Sequence, residues 1–320
     1  MLRLAVSGRG IVDRMYLPAA AAAGGIAIER VRLPHVNSGG GLDTPLPSPA
    51  VTALAGEYAF IVSCPPFGHA AYAAVALDQG CRVLCEKPVG MDVHVPLALA
   101  RMSQRLGVEV RANYQLRFHP AIELVCRILQ RHPPLRVRIC YRSGARLKIR
   151  EKPAWYQSRD CGGGLLLALG SHLVELARVI GGEISSLEYA QHKRLPEEFV
   201  IIGNYTSGAD LQIDCSAVAA DESFLIEIVS GDTIYLVDMM DCSIREGSVI
   251  CVKAEDLLPT LLLKTRVKQR VGLRYLGLDT PWRIAFLACL VALRDEDLFT
   301  TLASMIDAVA VHALLARLDD

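Results

Sequence analysis

Short runs of apolar and β-branched residues alternate with segments of helical periodicity in the first third of the chain. The apolar runs predict strands at 2–6, 26–33, 58–63, 82–85 and 108–112, with helices up to residue 23 and over 70–77 and 95–106. Strands that alternate with helices form βαβ units around a parallel sheet with right-handed crossovers. Residues 34–49 break this rhythm because they are rich in turn formers, so we expect a loop there in place of a crossover helix.

From about residue 136 the apolar and polar positions alternate with a period of two. This alternation predicts antiparallel strands joined by short turns at 200–205, 211–216, 224–229 and 233–237, with helices at 165–180, 282–293 and 302–318. We therefore predict an α/β fold in two domains. Residues 1–114 form a Rossmann-type parallel sheet, and residues 115–320 form an α+β domain with a large, mainly antiparallel open sheet.

Composition and charge narrow the class of partner. The 320 residues include 34 basic and 34 acidic side chains, and this balance argues against nucleic acid or an anionic membrane as the ligand. The apolar run at the start of the chain is too short for a secretion signal or a membrane span. Ten cysteines are scattered without a pair or cluster at metal-binding spacing, so we expect reduced thiols, no metal site and a cytoplasmic location.

A glycine turn follows the first predicted strand. In the sequence AVSGRGIVD, Gly8 and Gly10 end the strand and open a helix. At such a turn, backbone N–H groups bind the pyrophosphate of a dinucleotide. We predict cofactor contacts from this turn, through Gly8, Arg9, Gly10, Ile11 and Val12. The third glycine of the usual fingerprint is missing, and either Asp13 or Val12 takes its place.

The end of the second predicted strand indicates the type of dinucleotide. An acidic residue there normally binds the ribose 2′-hydroxyl of NAD, but the sequence RVRLPH contains none. Arg32 would suit a 2′-phosphate, so NADP is the expected cofactor and NAD remains possible. The alternative is that the arginines of this segment are only solvated surface charges.

A charged pair directly follows the fourth predicted strand. In VLCEKPVG, Glu86 and Lys87 come after an apolar run and precede Pro88, which removes a backbone donor and restricts the conformation of Lys87. Taken alone, the pair could be a structural ion pair at a strand end.

Four sequence motifs, which occur along the chain in the same order as in a known family of proteins, carry a resemblance to that family. VLCEKPVG is similar to the Glu-Lys-Pro signature of the Gfo/Idh/MocA (glucose–fructose oxidoreductase/inositol dehydrogenase) family, and SCPPFGH resembles the turn after its preceding strand. NYQLRFHPA resembles the crossover between its domains, and GGGLLLALGSHLVEL resembles its glycine-rich helix. The resemblance implies hydride transfer with NAD(P). It makes Lys87 the main acid/base, with His172 as its partner on the substrate side.

The remaining candidate residues fall into two groups. The motifs supply expected cofactor contacts, which are Ser63, Cys64, Pro65, His69, Glu86, Lys87, Pro88, Asn113 and Gln115. Substrate contacts are expected from the residues after the crossover, from an aromatic pair in a polar loop and from the helix, namely Arg117, His119, Trp155, Tyr156 and His172. A role at a helix start is equally open for Arg117 and His119, and simple packing is equally open for the aromatic pair.

The helix motif departs from the family at one position. The family most often has an aspartate four residues before the histidine, whereas this chain has Ala168. A helix places Ala168 and His172 on one face, so the cleft wall is kept while the carboxylate is lost. Glu175 stands where the family often has a second acid, and we expect it to orient the His172 ring.

The sequence thus predicts an NAD(P)-dependent oxidoreductase that acts on a carbonyl or alcohol of a sugar, a sugar nucleotide or a natural-product intermediate. An imine reductase is one alternative, because a single proton donor is sufficient for imine reduction. A non-catalytic regulatory protein that keeps the cofactor fold is the other. The strands of the second domain make a homodimer or homotetramer plausible by analogy with the family.

Overall fold

The architecture is taken from a computed structural model that describes residues 2–7, 11–23, 25–30, 58–144, 161–191, 197–253, 281–294 and 296–318. The first sheet has six strands in the order β14-β5-β4-β3-β1-β2. Its first five strands in the chain are all parallel. They are β1 (Leu2–Ser7), β2 (Ile26–Arg30), β3 (Tyr58–Val62), β4 (Arg82–Glu86) and β5 (Val110–Asn113).

The strand order reverses between β1 and β3. From β1 the chain runs outward to β2 on one side and then returns to add β3, β4 and β5 on the other. In open parallel sheets, ligands bind in the crevice outside the carboxyl ends of the strands at such a reversal. The fold therefore places the carboxyl end of β1, which precedes the predicted glycine turn in the sequence, at the expected ligand crevice.

Helices cover both faces of this sheet because the strand residues are apolar on both sides. Leu4 and Ile61 face a core formed with helix α1, which begins with a π-helical turn (Val12–Tyr16) and continues over Leu17–Ala23. Ala5 and Phe60 belong to the core on the other face. The further helices of this region are α2 (His69–Asp78) and α3 (His94–Leu106), whereas the next helix, α4 (Pro120–Leu129), packs on the second sheet.

The second sheet has eight strands in the order β13-β12-β11-β10-β6-β9-β8-β7. All its pairs are antiparallel except β6 with β9. Helix α5 (Ser171–Gly181) follows a π-helical turn (Leu166–Gly170) and packs against β6. The strands are β6 (Arg136–Arg142), β7 (Ile184–Gln191), β8 (Glu198–Tyr205), β9 (Asp210–Ser216), β10 (Ser223–Ser230), β11 (Thr233–Asp238), β12 (Ser243–Glu246) and β13 (Val249–Lys253).

The C-terminal segment returns to the first sheet. Helix α6 (Pro281–Arg294) packs on α1, and a short helix α7 (Glu296–Phe299) follows. The helix predicted from residue 302 begins later, because strand β14 (Ala303–Ser304) first pairs antiparallel with β5. Helix α8 (Met305–Ala316) then starts from a capping box between Ser304 and Asp307. It packs against both α3 and α5 and so connects the two parts of the molecule.

The predicted fold class is confirmed: a parallel sheet comes first and a mainly antiparallel sheet follows. The boundary between residues 114 and 115 remains a prediction, to which the structure adds that α6, β14 and α8 pack on the first sheet. In the described part of the chain, no helix is both long and apolar enough to cross a membrane.

Candidate active site

Lys87 and Ala168 are brought together from different parts of the chain. Lys87 lies directly after β4, joined to Pro88 by a cis peptide bond. Its ammonium Nζ donates to the main-chain carbonyl oxygen of Ala168 at 2.6 Å. Ala168 belongs to the π-helical turn before α5, a type of turn that is frequent at functional sites. A backbone carbonyl thus accepts from Lys87 at the residue where the family most often has a carboxylate.

His172 lies one turn further along the same helix and is 6% exposed. Burial, followed by the nearby Lys87 ammonium, lowers the pKa of His172 well below its ordinary value. The ring is therefore neutral at physiological pH. Its edge-on neighbour is the ring of Tyr114, with centroids 6.1 Å apart, and its Nδ1 has no hydrogen-bond partner among the described residues.

Glu86 is held by a buried hydrogen-bond network. Its Oε1 accepts from the Tyr16 hydroxyl at 2.5 Å and from Asn113 Nδ2 at 2.8 Å, and its Oε2 accepts from the backbone N–H of Lys87 at 3.3 Å. Burial raises the pKa of Glu86, while these donors and the Lys87 charge act in the opposite direction. The network fixes the backbone of Lys87 from α1 and β5, because each partner belongs to a different element.

The carboxyl ends of β1 and β3 are joined by hydrogen bonds between Ser7 and Ser63. The Ser63 backbone N–H donates to Ser7 Oγ at 3.1 Å, and the Ser63 hydroxyl donates to the Ser7 carbonyl oxygen. Cys64 follows, and burial raises the pKa of its thiol to about 12, so it is not a thiolate at neutral pH. These bonds fix the edge of the crevice at the reversal of strand order.

His69 connects the loops after β3 and β4. Its Nδ1 lies 2.8 Å from the Pro88 carbonyl oxygen, and its Nε2 lies 2.7 Å from that of Cys64. Burial lowers the pKa of His69 to about 4, although both carbonyl groups favour the protonated ring. At neutral pH the ring is therefore neutral and can donate to only one of these oxygens at a time. In this position the His69 ring stabilises the loop of Lys87 through Pro88, and both of its nitrogens face main-chain carbonyl groups of the protein.

Arg117 and His119 both have structural partners. Arg117 donates from Nε and Nη2 to Glu175 Oε1, at 3.0 and 2.6 Å. His119 is fully buried; its Nε2 lies 3.1 Å from the Met239 carbonyl oxygen, and its Nδ1 accepts from the backbone N–H of Ala121 at the start of α4. The helix-start role therefore fits His119, and we do not retain either residue as a substrate ligand. Glu175 bonds Arg117 and makes no hydrogen bond to His172 Nδ1, contrary to the orienting contact expected from the sequence.

The remaining predicted cofactor residues differ in their surroundings. Val12 is fully buried in the core under the first sheet, and Ile11 packs partly against that core. The side-chain oxygens Asn113 Oδ1 and Gln115 Oε1 are buried without a partner in the described ranges. Asp13, which stands near the expected phosphate position, forms an ion pair with Arg30. Some predicted residues lie outside the described part of the chain, namely Gly8, Arg9, Gly10, Arg32, Trp155 and Tyr156.

Two residues of the site were missed by sequence reasoning. Tyr16 bonds Glu86, from which it is 70 residues distant in sequence, and Tyr114 packs on His172. Tyr114 lies inside a quoted motif, and Tyr16 lies just beyond the glycine turn. The local pattern does not separate a tyrosine of the site from a tyrosine of the core, because both are buried aromatic side chains in otherwise apolar surroundings.

The fold combines a parallel sheet with a mainly antiparallel one, and Lys87 and His172 lie close together at the carboxyl edge of the parallel sheet. Residues 133–235 match the family model of the GFO/IDH/MocA C-terminal domain. This match confirms the resemblance to the Gfo/Idh/MocA family that the motifs indicated.

Individual proteins agree with this result. An uncharacterized oxidoreductase from Synechocystis sp. is 30% identical over 132 residues, which are 40% of this chain and 36% of that protein. The chain thus spans about a third of the length of this curated relative.

Two solved structures share the fold over nearly the whole chain. An NAD binding oxidoreductase from Klebsiella pneumoniae has a TM-score of 0.72 at 16% identity, covering 99% of this chain and 96% of the other. An inositol dehydrogenase homolog from Azotobacter vinelandii, solved with NADH and myo-inositol, has a TM-score of 0.68 at 16% identity, covering 99% and 94%. At this identity the likeness shows the fold alone.

Proposed function

We propose that the protein is an NAD(P)-dependent oxidoreductase that transfers hydride to or from a carbonyl or alcohol carbon of a small polar molecule. The observation that carries this proposal is the contact of the Lys87 ammonium with the Ala168 carbonyl, beside the neutral, buried His172. A charged donor and a neutral imidazole at the carboxyl end of a parallel sheet are suited to proton transfer at a bound substrate. The names of the relatives and neighbours support the same class of reaction.

The described residues fit a dinucleotide. The end of β1 and the loop after β3 form the edge of the crevice at the strand reversal, where Ser7 and Ser63 hold the backbone. The buried acceptors Asn113 Oδ1 and Gln115 Oε1 have no partner among the described residues and could receive donors from a carboxamide or a ribose. When bound, a nicotinamide dinucleotide supplies or accepts the hydride.

Lys87 would provide the proton that balances hydride transfer. Reduction of a carbonyl builds negative charge on its oxygen, and an ammonium hydrogen-bonded to that oxygen stabilises the charge and donates a proton. When the Lys87 ammonium moves from the Ala168 carbonyl oxygen to the substrate oxygen, it exchanges one hydrogen-bond acceptor for another. Glu86 and Tyr16 keep the Lys87 backbone in place during this exchange. The neutral His172 would hold the substrate through a ring nitrogen.

Imine reduction is the second candidate, and Ala168 favours it. A carbonyl oxygen accepts a hydrogen bond from Lys87 but cannot carry a proton to or from it, as a carboxylate could. Reduction of an imine or of a carbonyl needs one proton, which a single ammonium provides, whereas oxidation of an alcohol needs a group that takes a proton up; the missing carboxylate therefore favours imine reduction over alcohol oxidation. Discrimination between the two candidates requires a substrate panel that contains cyclic imines beside sugars, inositols and sugar nucleotides.

The type of dinucleotide is open to a direct test. Arg32, in the segment without an acid, supports NADP, whereas the structural neighbours include an NAD binding oxidoreductase and a dehydrogenase homolog solved with NADH. We expect Arg32→Glu to weaken NADPH binding more than NADH binding, because only NADPH offers a 2′-phosphate to the guanidinium. Equal losses for both cofactors in fluorescence titrations would show that Arg32 is a surface charge.

A homodimer through the second sheet is part of the proposal. Apolar side chains are exposed on this sheet, as Ile202 at 42% and Ile234 at 49% show. A sedimentation-velocity experiment at micromolar concentration would give a monomer mass if this proposal is wrong.

The experiment that tests the function is titration of the folded protein with NADH and NADPH, followed by nicotinamide fluorescence. We expect saturable binding at micromolar concentration and its loss in Gly10→Asp, because a carboxylate at the predicted phosphate turn repels the pyrophosphate. The control is Arg127→Met, which removes an exposed charge on α4 and should bind as the wild type does. Absence of binding by both cofactors would overturn the oxidoreductase proposal.

A further inference from the structure

The helix that carries His172 is contacted at three positions of one face. Ala168 accepts from Lys87, His172 packs edge-on against Tyr114, and Glu175 accepts from Arg117. Spacings of four and three residues place these positions on one side of a helix. Their three partners come from the end of β4 and from the segment that follows β5. Lys87 and Tyr114, at the carboxyl edge of the first sheet, and Arg117, in the turn that follows, therefore contact α5 along this one face.

The third contact is a directional one. Two nitrogens of the Arg117 guanidinium donate to the same oxygen, Glu175 Oε1, at 3.0 and 2.6 Å. The Glu175 side chain is fully buried, and the Arg117 side chain is 18% exposed. Arg117 Nη1 also donates to the Thr301 carbonyl oxygen at 3.3 Å. A planar guanidinium with several bonds fixes the angle of its partner as well as its distance.

The other end of the same helix is held by Arg178. This residue lies three positions after Glu175, and its Nη1 is 3.3 Å from Asp307 Oδ1. Asp307 caps α8 and lies 3.8 Å from Arg117 Nη2. Residues 172, 175 and 178 therefore follow one another at intervals of three. Arg178 is joined to the C-terminal segment directly, and Glu175 is joined to it through Arg117.

His172 has no comparable bond of its own at Nδ1, for which the described residues provide no hydrogen-bond partner. The direction of its ring is therefore set by the packing of Tyr114 and by the rotation of the helix. A small rotation of α5 would move the ring away from Lys87, because the His172 side chain leaves the helix at a fixed angle whereas Lys87 belongs to the loop after β4.

We propose that Arg117 and Glu175 are positioning residues that set the rotation of α5 and thereby the orientation of His172 beside Lys87. The importance of that orientation for turnover rests on the proposed function, whereas the orientation itself does not. Stability alone does not require the pair. A buried ion pair can often be replaced by apolar residues of similar size without loss of stability, whereas removal of one partner is strongly destabilising.

This difference provides the test. The double variant Arg117→Met/Glu175→Met removes both charges and should fold. The matched control is Arg127→Met/Glu123→Met, which removes an exposed ion pair of 2.8 Å on α4. Histidine-labelled protein would be followed by ¹⁵N NMR, with the His172 signals assigned through His172→Gln. We expect the His172 ring signals to shift in the first double variant and to coincide with wild type in the control.

Two further results separate this proposal from the proposed function. In single turnover the Arg117/Glu175 double variant should lose about 10²-fold in rate, the usual effect of a misplacement near 1 Å, at unchanged NADH affinity. If the double variant does not fold, Glu175→Gln keeps the size and one acceptor oxygen and should still shift the His172 signals. Unchanged His172 signals in a folded variant would overturn the positioning role. Failure of cofactor binding in the wild type would overturn the function but not the NMR result.

Discussion

The charge of the Lys87 ammonium faces the dipole of a backbone carbonyl group instead of a carboxylate. The acceptor is the Ala168 carbonyl at 2.6 Å, and the neighbouring His172 is neutral because burial and the Lys87 charge lower its pKa. The two residues therefore have different roles, with one as charged donor and the other as neutral hydrogen-bonding group. The positions of the two side chains are set locally: Pro88 and Glu86 fix the backbone of Lys87, and α5 fixes the backbone of His172.

At this scale we expect Lys87→Met to reduce turnover by about 10²–10⁴-fold, which is the usual contribution of a general acid–base group. Cofactor affinity should stay within about twofold, because no proposed phosphate contact is removed. Single-turnover nicotinamide absorbance with an active substrate measures the hydride step. Loss of cofactor affinity equal to the loss in rate would instead mark Lys87 as a binding residue. His172→Ala should lose less if the ring only holds the substrate.

At the scale of elements, loops around the site fit closely against one another. Gly162 precedes the π-helical turn, has a φ of +78° and lies where a Cβ would be 2.5 Å from Pro66 Cβ. Pro66 begins the 3₁₀ turn (Pro66–Gly68) that follows the loop of Ser63. Gly164 has a similar φ of +85° but open space around it. Both glycines therefore have a positive φ that an L-residue rarely adopts. Only at Gly162 would a side chain also collide with a neighbouring residue, Pro66.

This pair gives a matched prediction. Gly164→Ala should cost about 1–2 kcal/mol of unfolding free energy, the penalty of an L-residue in the left-handed region. Gly162→Ala should cost more and should also weaken cofactor binding, because the added Cβ displaces the turn next to the predicted cofactor loop. Denaturant unfolding and NADH titration of both variants would measure the two effects. Equal cofactor affinity in the two variants would show that the close approach does not affect the site.

At the scale of the whole molecule, buried histidines link stability to pH. Burial lowers the pKa of His69, His119 and His312 to about 4, and that of His172 also lies well below its ordinary value. The unfolded chain binds protons at about pH 6.5, where the folded chain does not. The contribution of these histidines to the free energy of unfolding is therefore fully present above pH 6.5 and is lost as the pH falls toward 4. The raised pKa values of Glu86 and Glu175 act in the opposite direction, since they decrease stability as the pH rises above the ordinary range of a carboxyl group.

His312 allows one of these contributions to be isolated. It is 3% exposed in α8, which connects the two parts of the molecule. His312→Leu should reduce the slope of unfolding free energy against pH between 4 and 6.5 by up to one proton, or about 1.4 kcal/mol per pH unit. Urea unfolding at several pH values gives this slope, with the exposed His132→Gln as control. An unchanged slope would mean that His312 is protonated in the folded protein.

The sequence by itself determined the class of fold and supplied the site residues that we propose, because both depend on local patterns. Apolar periodicity located β1, β3, β4 and the helices between them, and turn chemistry marked Lys87 with its following proline. Motif order placed His172 on a helix. The partners of these residues were decided only by the tertiary structure. Tyr16 on Glu86, the Ala168 carbonyl on Lys87 and Arg117 on Glu175 are contacts between residues 58 to 81 positions apart, and the strand β14 interrupts a pattern that reads as helix. Hydrogen bonds of this kind depend on the packing of elements in space, which a local pattern of apolar and polar residues does not contain.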